Sequence, residues 1–106
     1  MALYVLEWSF PAEREKRLAV RPRHRAFLEQ LRVDGRLIAA GPWSDDSGAL
    51  IVLKASSRDE LERWLEADPY VRDGVGERTL REWTPIIGGT VDASAGDPTG
   101  ARQRAR

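Results

Sequence analysis

ALIVLKASSRDELERWLEADPY, residues 49–70, carries a strand, a helix start, a helix and its stop in one run. Ala49–Ala55 is apolar throughout except at Lys54, the mark of a strand covered on both faces. Ser57, with Glu60 three positions on, forms a capping box and predicts that a helix begins there. Leu61, Trp64 and Leu65 then recur at helical spacing, and the next position on that stripe is Asp68, followed at once by Pro69 and Tyr70. A carboxylate on the inward ridge of a helix that proline then stops needs a partner, because an unpaired buried carboxylate is costly.

On either side the chain alternates between the two periods. Downstream, a turn through Gly74 and Gly76 leads to a last predicted strand, Glu77–Ile87. Upstream, Arg36–Trp43 is a strand joined to Ala49–Ala55 by the turn cluster Ser44–Gly48. Ala2–Phe10 opens the chain as a strand with Tyr4, Leu6, Trp8 and Phe10 on one face and Leu3 and Val5 on the other. Pro11–Leu18 reads as a polar stretch with a short helical turn. Pro22 is expected to start the first long helix, where its missing N–H costs nothing, and Gly35 after Asp34 to end it.

The order βαββαβ predicts an α+β, ferredoxin-like fold with a four-stranded antiparallel sheet. The first and third strands are expected at the centre and the second and fourth at the edges, where Pro42 and Pro85 are tolerated. Two helices cover only one face of such a sheet, so the apolar second face is expected to pack on a second copy, sheet to sheet. The domain is placed at residues 1–87. Gly88–Arg106, in which Val91 is the one large aliphatic residue, is expected to be a flexible tail.

Composition narrows the function classes. The 106 residues make one domain, and 17 Lys+Arg against 17 Asp+Glu leave no net field to attract nucleic acid or an anionic membrane. The absence of cysteine excludes disulfides, thiolate metal sites and a cysteine nucleophile. A single histidine gives no recognised metal-ligand spacing, and no glycine loop is built to cradle phosphate, so no metal and no cofactor are expected. The first strand contains Glu7 and has no basic leader, which argues against a signal peptide or membrane span and makes the cytoplasm the default.

His24 begins an apolar stripe that continues through Phe27, Leu28 and Leu31. A histidine on such a face is more often a satisfied structural residue than a catalyst. With the helix starting at Pro22, His24 lies in its first turn, crowded by Arg21, Arg23 and Arg25. The helix N-terminus and the cations both disfavour the imidazolium, and a neutral imidazole suits a general base. Asp68 needs a partner, for which His24 or an arginine is the natural candidate, although Asp before Pro is also ordinary turn chemistry. Arg17 and Arg21 belong to a basic run whose plain reading is a solvated face; the sharper one has a guanidinium meeting an anionic substrate group. Tyr70 either donates into the same site or packs.

Arg17-Leu18, Arg21-Pro22-Arg23-His24, Gly35-Arg36-Leu37, Ala40-Gly41-Pro42 and Ala67-Asp68-Pro69-Tyr70 with Gly74-Val75, taken in order, resemble the YCII-related (YciI-like) family over about Ala2–Ile87. The resemblance implies a ferredoxin-like domain of the dimeric α+β barrel group, with a His–Asp site carried onto His24 and Asp68. It further implies proton shuttling on a small cyclic substrate. A relative that removes chloride from a hydroxylated ring and the muconolactone isomerases of the wider group point that way.

The function expected is therefore cofactor-independent isomerisation or elimination on a small, anionic, cyclic or aromatic metabolite. His24 and Asp68 are the catalytic candidates, and Arg17, Arg21, Pro42 and Tyr70 the substrate-binding ones. The alternative is a non-catalytic ligand-binding or accessory dimerisation module of the same fold. One geometric difficulty accompanies the first reading. In an idealised fold His24 opens one helix and Asp68 closes the other, on opposite sides of the sheet and roughly 15 Å apart. Their meeting then requires a displaced first helix, a loop that folds back, or a contribution across the dimer.

Overall fold

Side-chain alternation decides which side of the sheet becomes the core. In the computed structural model, which describes residues 1–88, strand β1 (Ala2–Ser9) buries Tyr4, Leu6 and Trp8 and leaves Leu3, Val5 and Glu7 half-buried on the other face. Strand β3 (Gly48–Ala55) pairs with it antiparallel, from Ala2 opposite Ala55 to Ser9 opposite Gly48, and buries Ile51, Leu53 and Ala55 in the same layer. Strand β2 (Leu37–Pro42) adds to the outside of β3, and β4 (Glu77–Trp83) to the outside of β1. The order β2-β3-β1-β4 is the antiparallel ferredoxin-like sheet the sequence predicts, with the first and third strands central.

Helices α1 (Glu15–Val33), α2 (Arg58–Leu65) and the short α3 (Pro69–Arg72) supply Val20, Leu31, Leu61, Leu65 and Tyr70 to the core. Leu6, Leu53, Leu61 and Leu65 are fully buried, each contributing about 1.5–3 kcal/mol from removal of apolar surface. On the opposite face Leu3, Val5, Leu50 and Val52 remain half-exposed, and Trp83, paired with Leu3, extends the patch at 43% exposure.

Four local expectations need correction. The first long helix does not begin at Pro22. It begins at Glu15 and runs through that proline, which costs an interior hydrogen bond to Leu18. Arg17 and Val20, both buried, hold the early turns in place, while Pro22 and Leu18 are exposed.

The last strand stops at Trp83 rather than Ile87: its ladder with β1 ends at Leu3 opposite Trp83, and Pro85 has no N–H to offer. The capping box is shifted: Ser57 accepts from the Glu60 N–H, but the Glu60 carboxylate takes the N–H and hydroxyl of Ser56.

Finally, Asp68 does not close α2, which is capped at Glu66; it opens α3. Except for Gly88, the predicted tail lies outside the described residues.

Candidate active site

Because α1 starts early, His24 lies in mid-helix, on a ridge with Arg17, Val20 and Leu31 that faces the sheet. The expected first-turn position, and the influence of a helix N-terminus on the imidazole, are therefore absent. Asp68 arrives from the other side. Its backbone is extended (φ −69°, ψ 123°), the usual state of a helix N-cap, and its Oδ1 accepts the Tyr70 N–H at 2.9 Å. The same oxygen lies 2.8 Å from His24 Nδ1. The two residues thus meet within one subunit, and the early start of α1 removes the separation expected from an idealised fold.

Tyr70 is the third member. Its ring lies flat on the imidazole, with centroids 3.6 Å apart and planes 3° from parallel. Trp8 and Phe10 meet Tyr70 edge-on at 5.8 and 5.7 Å and fix it from below. Asp68 is fully buried, and its Oδ2 has no hydrogen-bond partner among the described residues. With Asp68 ionised, the carboxylate can only accept and Nδ1 is the donor in this contact. The lone pair of the neutral ring is then on Nε2, for which no protein partner is present among the described residues.

His24 and Tyr70 line a cleft of about 370 Å³ between α1 and β2. Its apolar walls include Leu28, Ile38 and Ile51; Arg21 and Arg25 bring positive charge, and Pro42 forms part of the β2 wall. Asp68 does not line the cleft; it is joined to it through His24 and Tyr70, both of which its Oδ1 contacts. Arg17 does line it, but its two terminal nitrogens lie 3.4 and 3.2 Å from the Asp46 carboxylate and its guanidinium stacks on Phe10 at 4.3 Å. Arg17 therefore differs from Arg21, whose side chain is a quarter exposed.

Asp46 was not legible as a site residue. In the sequence it belongs to an ordinary turn cluster, yet it lines the cleft and gathers Arg14 at 3.0 Å as well as Arg17. The hydrogen bond from Arg17, reinforced by the charges of Arg17, Arg14 and Arg21, holds its carboxyl below the usual carboxylate range. The available signal was the spacing of those arginines, which share a ridge only if the helix is taken back to Glu15. Among the described residues no group of three or more acidic or histidine side chains is placed to hold a metal ion.

Comparison with known proteins agrees with this architecture. The sequence profile of the YCII-related domain matches residues 1–84. Protein YciI of Escherichia coli O6:H1 is 42% identical over an alignment covering 59% of this chain and 74% of the relative. An uncharacterised protein of Haemophilus influenzae is 34% identical, covering 71% of this chain and 87% of its own. Among solved structures, the 5-chloro-2-hydroxyhydroquinone dehydrochlorinase of Burkholderia phenoliruptrix AC1100, in complex with 2,5-dihydroxybenzoquinone, superposes with a TM-score of 0.67 at 22% identity. That superposition covers 77% of this chain and 93% of the dehydrochlorinase, and it shows that the two share a fold.

Proposed function

The chain belongs to the YCII-related domain family, and on that footing we propose that it is a small enzyme that moves protons without a cofactor. One observation carries the reading: His24 is held through Nδ1 by a buried carboxylate while its ring lines an apolar cleft with a cationic wall. In this reading Nε2 is the general base. Asp68 orients the ring and stabilises the imidazolium once a proton is taken, a division of labour known from hydrolase His–Asp pairs. A cleft of about 370 Å³ suits a small cyclic or aromatic molecule, and Arg21 with Arg25 favours an anionic one. Pro42 and Tyr70 contribute walls. The reaction class is isomerisation or elimination, in which the proton leaves carbon or oxygen for Nε2 and returns elsewhere or departs with a leaving group.

We further assign a cytoplasmic homodimer joined through the half-exposed sheet face. No helix among the described residues is long and apolar enough to cross a membrane. The dehydrochlorinase of the same fold supplies the first compounds to screen, halogenated hydroxyhydroquinones, followed by small unsaturated lactones. Wild type, His24→Ala and Asp68→Asn are compared on that panel. Removal of a general base is expected to cost about 10²–10⁴ in kcat. Equal turnover in the three proteins sinks the assignment and leaves a ligand-binding module.

A further inference from the structure

Asp46, in the turn between β2 and β3, faces more positive charge than one carboxylate neutralises. Its oxygens lie 3.0 Å from Arg14, 3.2 and 3.4 Å from Arg17, and 3.8 Å from Arg21. These arginines recur at i, i+3 and i+7 along α1 and its N-cap, and His24 follows three residues after Arg21, about 4.5 Å farther along the axis. The coordination is incomplete. Arg21 stands beyond hydrogen-bond distance, and the buried Nε of Arg17 has no partner among the described residues.

Two further features argue that the cluster is more than a surface staple. Arg17 is almost wholly out of solvent while Asp46 keeps 30% of its side chain exposed, and such a partly buried ion pair is a weak source of stability because desolvation of the guanidinium offsets its attraction. Asp46 also holds φ +64°, the one non-glycine residue among the described residues in the left-handed region. A glycine would relieve that backbone, so the position retains a side chain at some conformational cost. That side chain lines the same cleft as His24.

We propose that Arg14, Arg17 and Arg21 form an oxyanion subsite of the cleft, that Asp46 is its tethered internal occupant, and that ligands of the cleft carry a carboxylate or phosphate group that competes with Asp46. The inference rests on reading the cleft as a ligand site, as above, but not on turnover. A ligand so held would place its ring beside His24, one helical turn from its anionic group. A mere latch between hairpin and helix would lose stability on mutation and gain nothing in return.

The test uses the full chain as wild type, Asp46→Asn, and Asp46→Asn with Arg21→Gln, titrated with benzoate and with inorganic phosphate at constant ionic strength. Asparagine tolerates the left-handed backbone, and Asp46→Gly serves in its place if the first variant does not fold. Removing the tethered competitor is expected to tighten probe binding about tenfold while lowering the melting temperature of the unliganded protein, and the added Arg21→Gln is expected to cancel the gain. A gain for benzoate alone assigns a carboxylate ligand; a gain for phosphate alone assigns a phosphate ligand. No gain for either probe, no binding at all, or a gain that survives Arg21→Gln overturns the proposal. Any of those results leaves the His24→Ala and Asp68→Asn comparison untouched, and failure of that comparison leaves these titrations interpretable.

Discussion

The imidazole of His24 lies face to face on the ring of Tyr70, 3.6 Å between centroids, while its Nδ1 meets the carboxylate of Asp68, two residues before that tyrosine. A single turn of chain therefore supplies both the flat support and the hydrogen-bond acceptor for the ring. The Tyr70 N–H closes the arrangement by binding the same Asp68 oxygen at 2.9 Å. The imidazole is thus held in plane by one neighbour and against rotation by the other, and that is the positioning a general base requires.

The support should be separable from the hydroxyl. Tyr70→Ala empties a buried site packed by Trp8 and Phe10 and is expected to cost about 3–5 kcal/mol in urea unfolding. Tyr70→Phe keeps the stacked ring and is expected to stay within about 1 kcal/mol of wild type. Equal losses in the two variants would show that the hydroxyl, not the stack, is what matters.

Asp68 has two roles that different substitutions divide. Asp68→Ala removes an N-cap and a buried hydrogen bond to the imidazole, together worth about 2–4 kcal/mol. Asp68→Asn retains an acceptor for the Tyr70 N–H but places an amide where Oδ2 now lacks a partner. It is expected to recover part of the stability and little of the turnover. Denaturant midpoints measured beside activity distinguish the two contributions.

The hairpin cluster has a defined pH signature. Its arginines keep Asp46 ionised to lower pH in the folded protein than in the unfolded chain. The stabilisation is therefore fully present above the unfolded carboxyl value, about 3.9, and is lost as pH falls through the lower folded value. The deficit of Asp46→Asn relative to wild type is expected to be constant from pH 7 to about 5 and to shrink below about pH 4. Urea midpoints against pH test this, and a deficit growing toward acid would contradict it.

Gly48 offers a test of the hairpin's approach to the sheet. A Cβ there would strike the Trp8 carbonyl oxygen and stand 3.0 Å from Trp43. The first obstacle is backbone in the central strand and cannot swing aside. Gly48→Ala is expected to lose more than about 3 kcal/mol, a severe effect for one methyl group. A near-neutral result in thermal unfolding would mean that this strand pair is looser than its register implies.

The proposed dimer is checked on the half-exposed face. Val52 lies opposite Val5 there, in the two central strands. Val52→Glu is expected to give a monomer of unchanged secondary structure, whereas wild type sediments as a dimer at micromolar concentration. A wild-type monomer would remove that assignment and leave the face without its partner.

Short-range patterns determined much of this protein. Period-two alternation in Ala2–Phe10 and the two-faced run Ala49–Ala55 carried the central strands, and Ser57 marked the start of α2, because pleat and cap geometry depend on residues a few positions apart. The polar breaks in the apolar ridges, at His24 and Asp68, were visible for the same reason. The start of α1 was not: Pro22 reads locally as a helix start, a signal overridden by burial of Arg17 and Val20 against a sheet assembled from distant strands. The pairing of His24 with Asp68 was expected, but the way the chain brings them together was not, and the Asp46 partner of Arg17 was missed. His24 reaches Asp68 across 44 residues and Arg17 reaches Asp46 across 29, and such contacts depend on where the folded chain turns. The tertiary structure alone decided that a carboxylate from a helix cap and one from a hairpin turn would converge on the two polar positions of a single helix ridge.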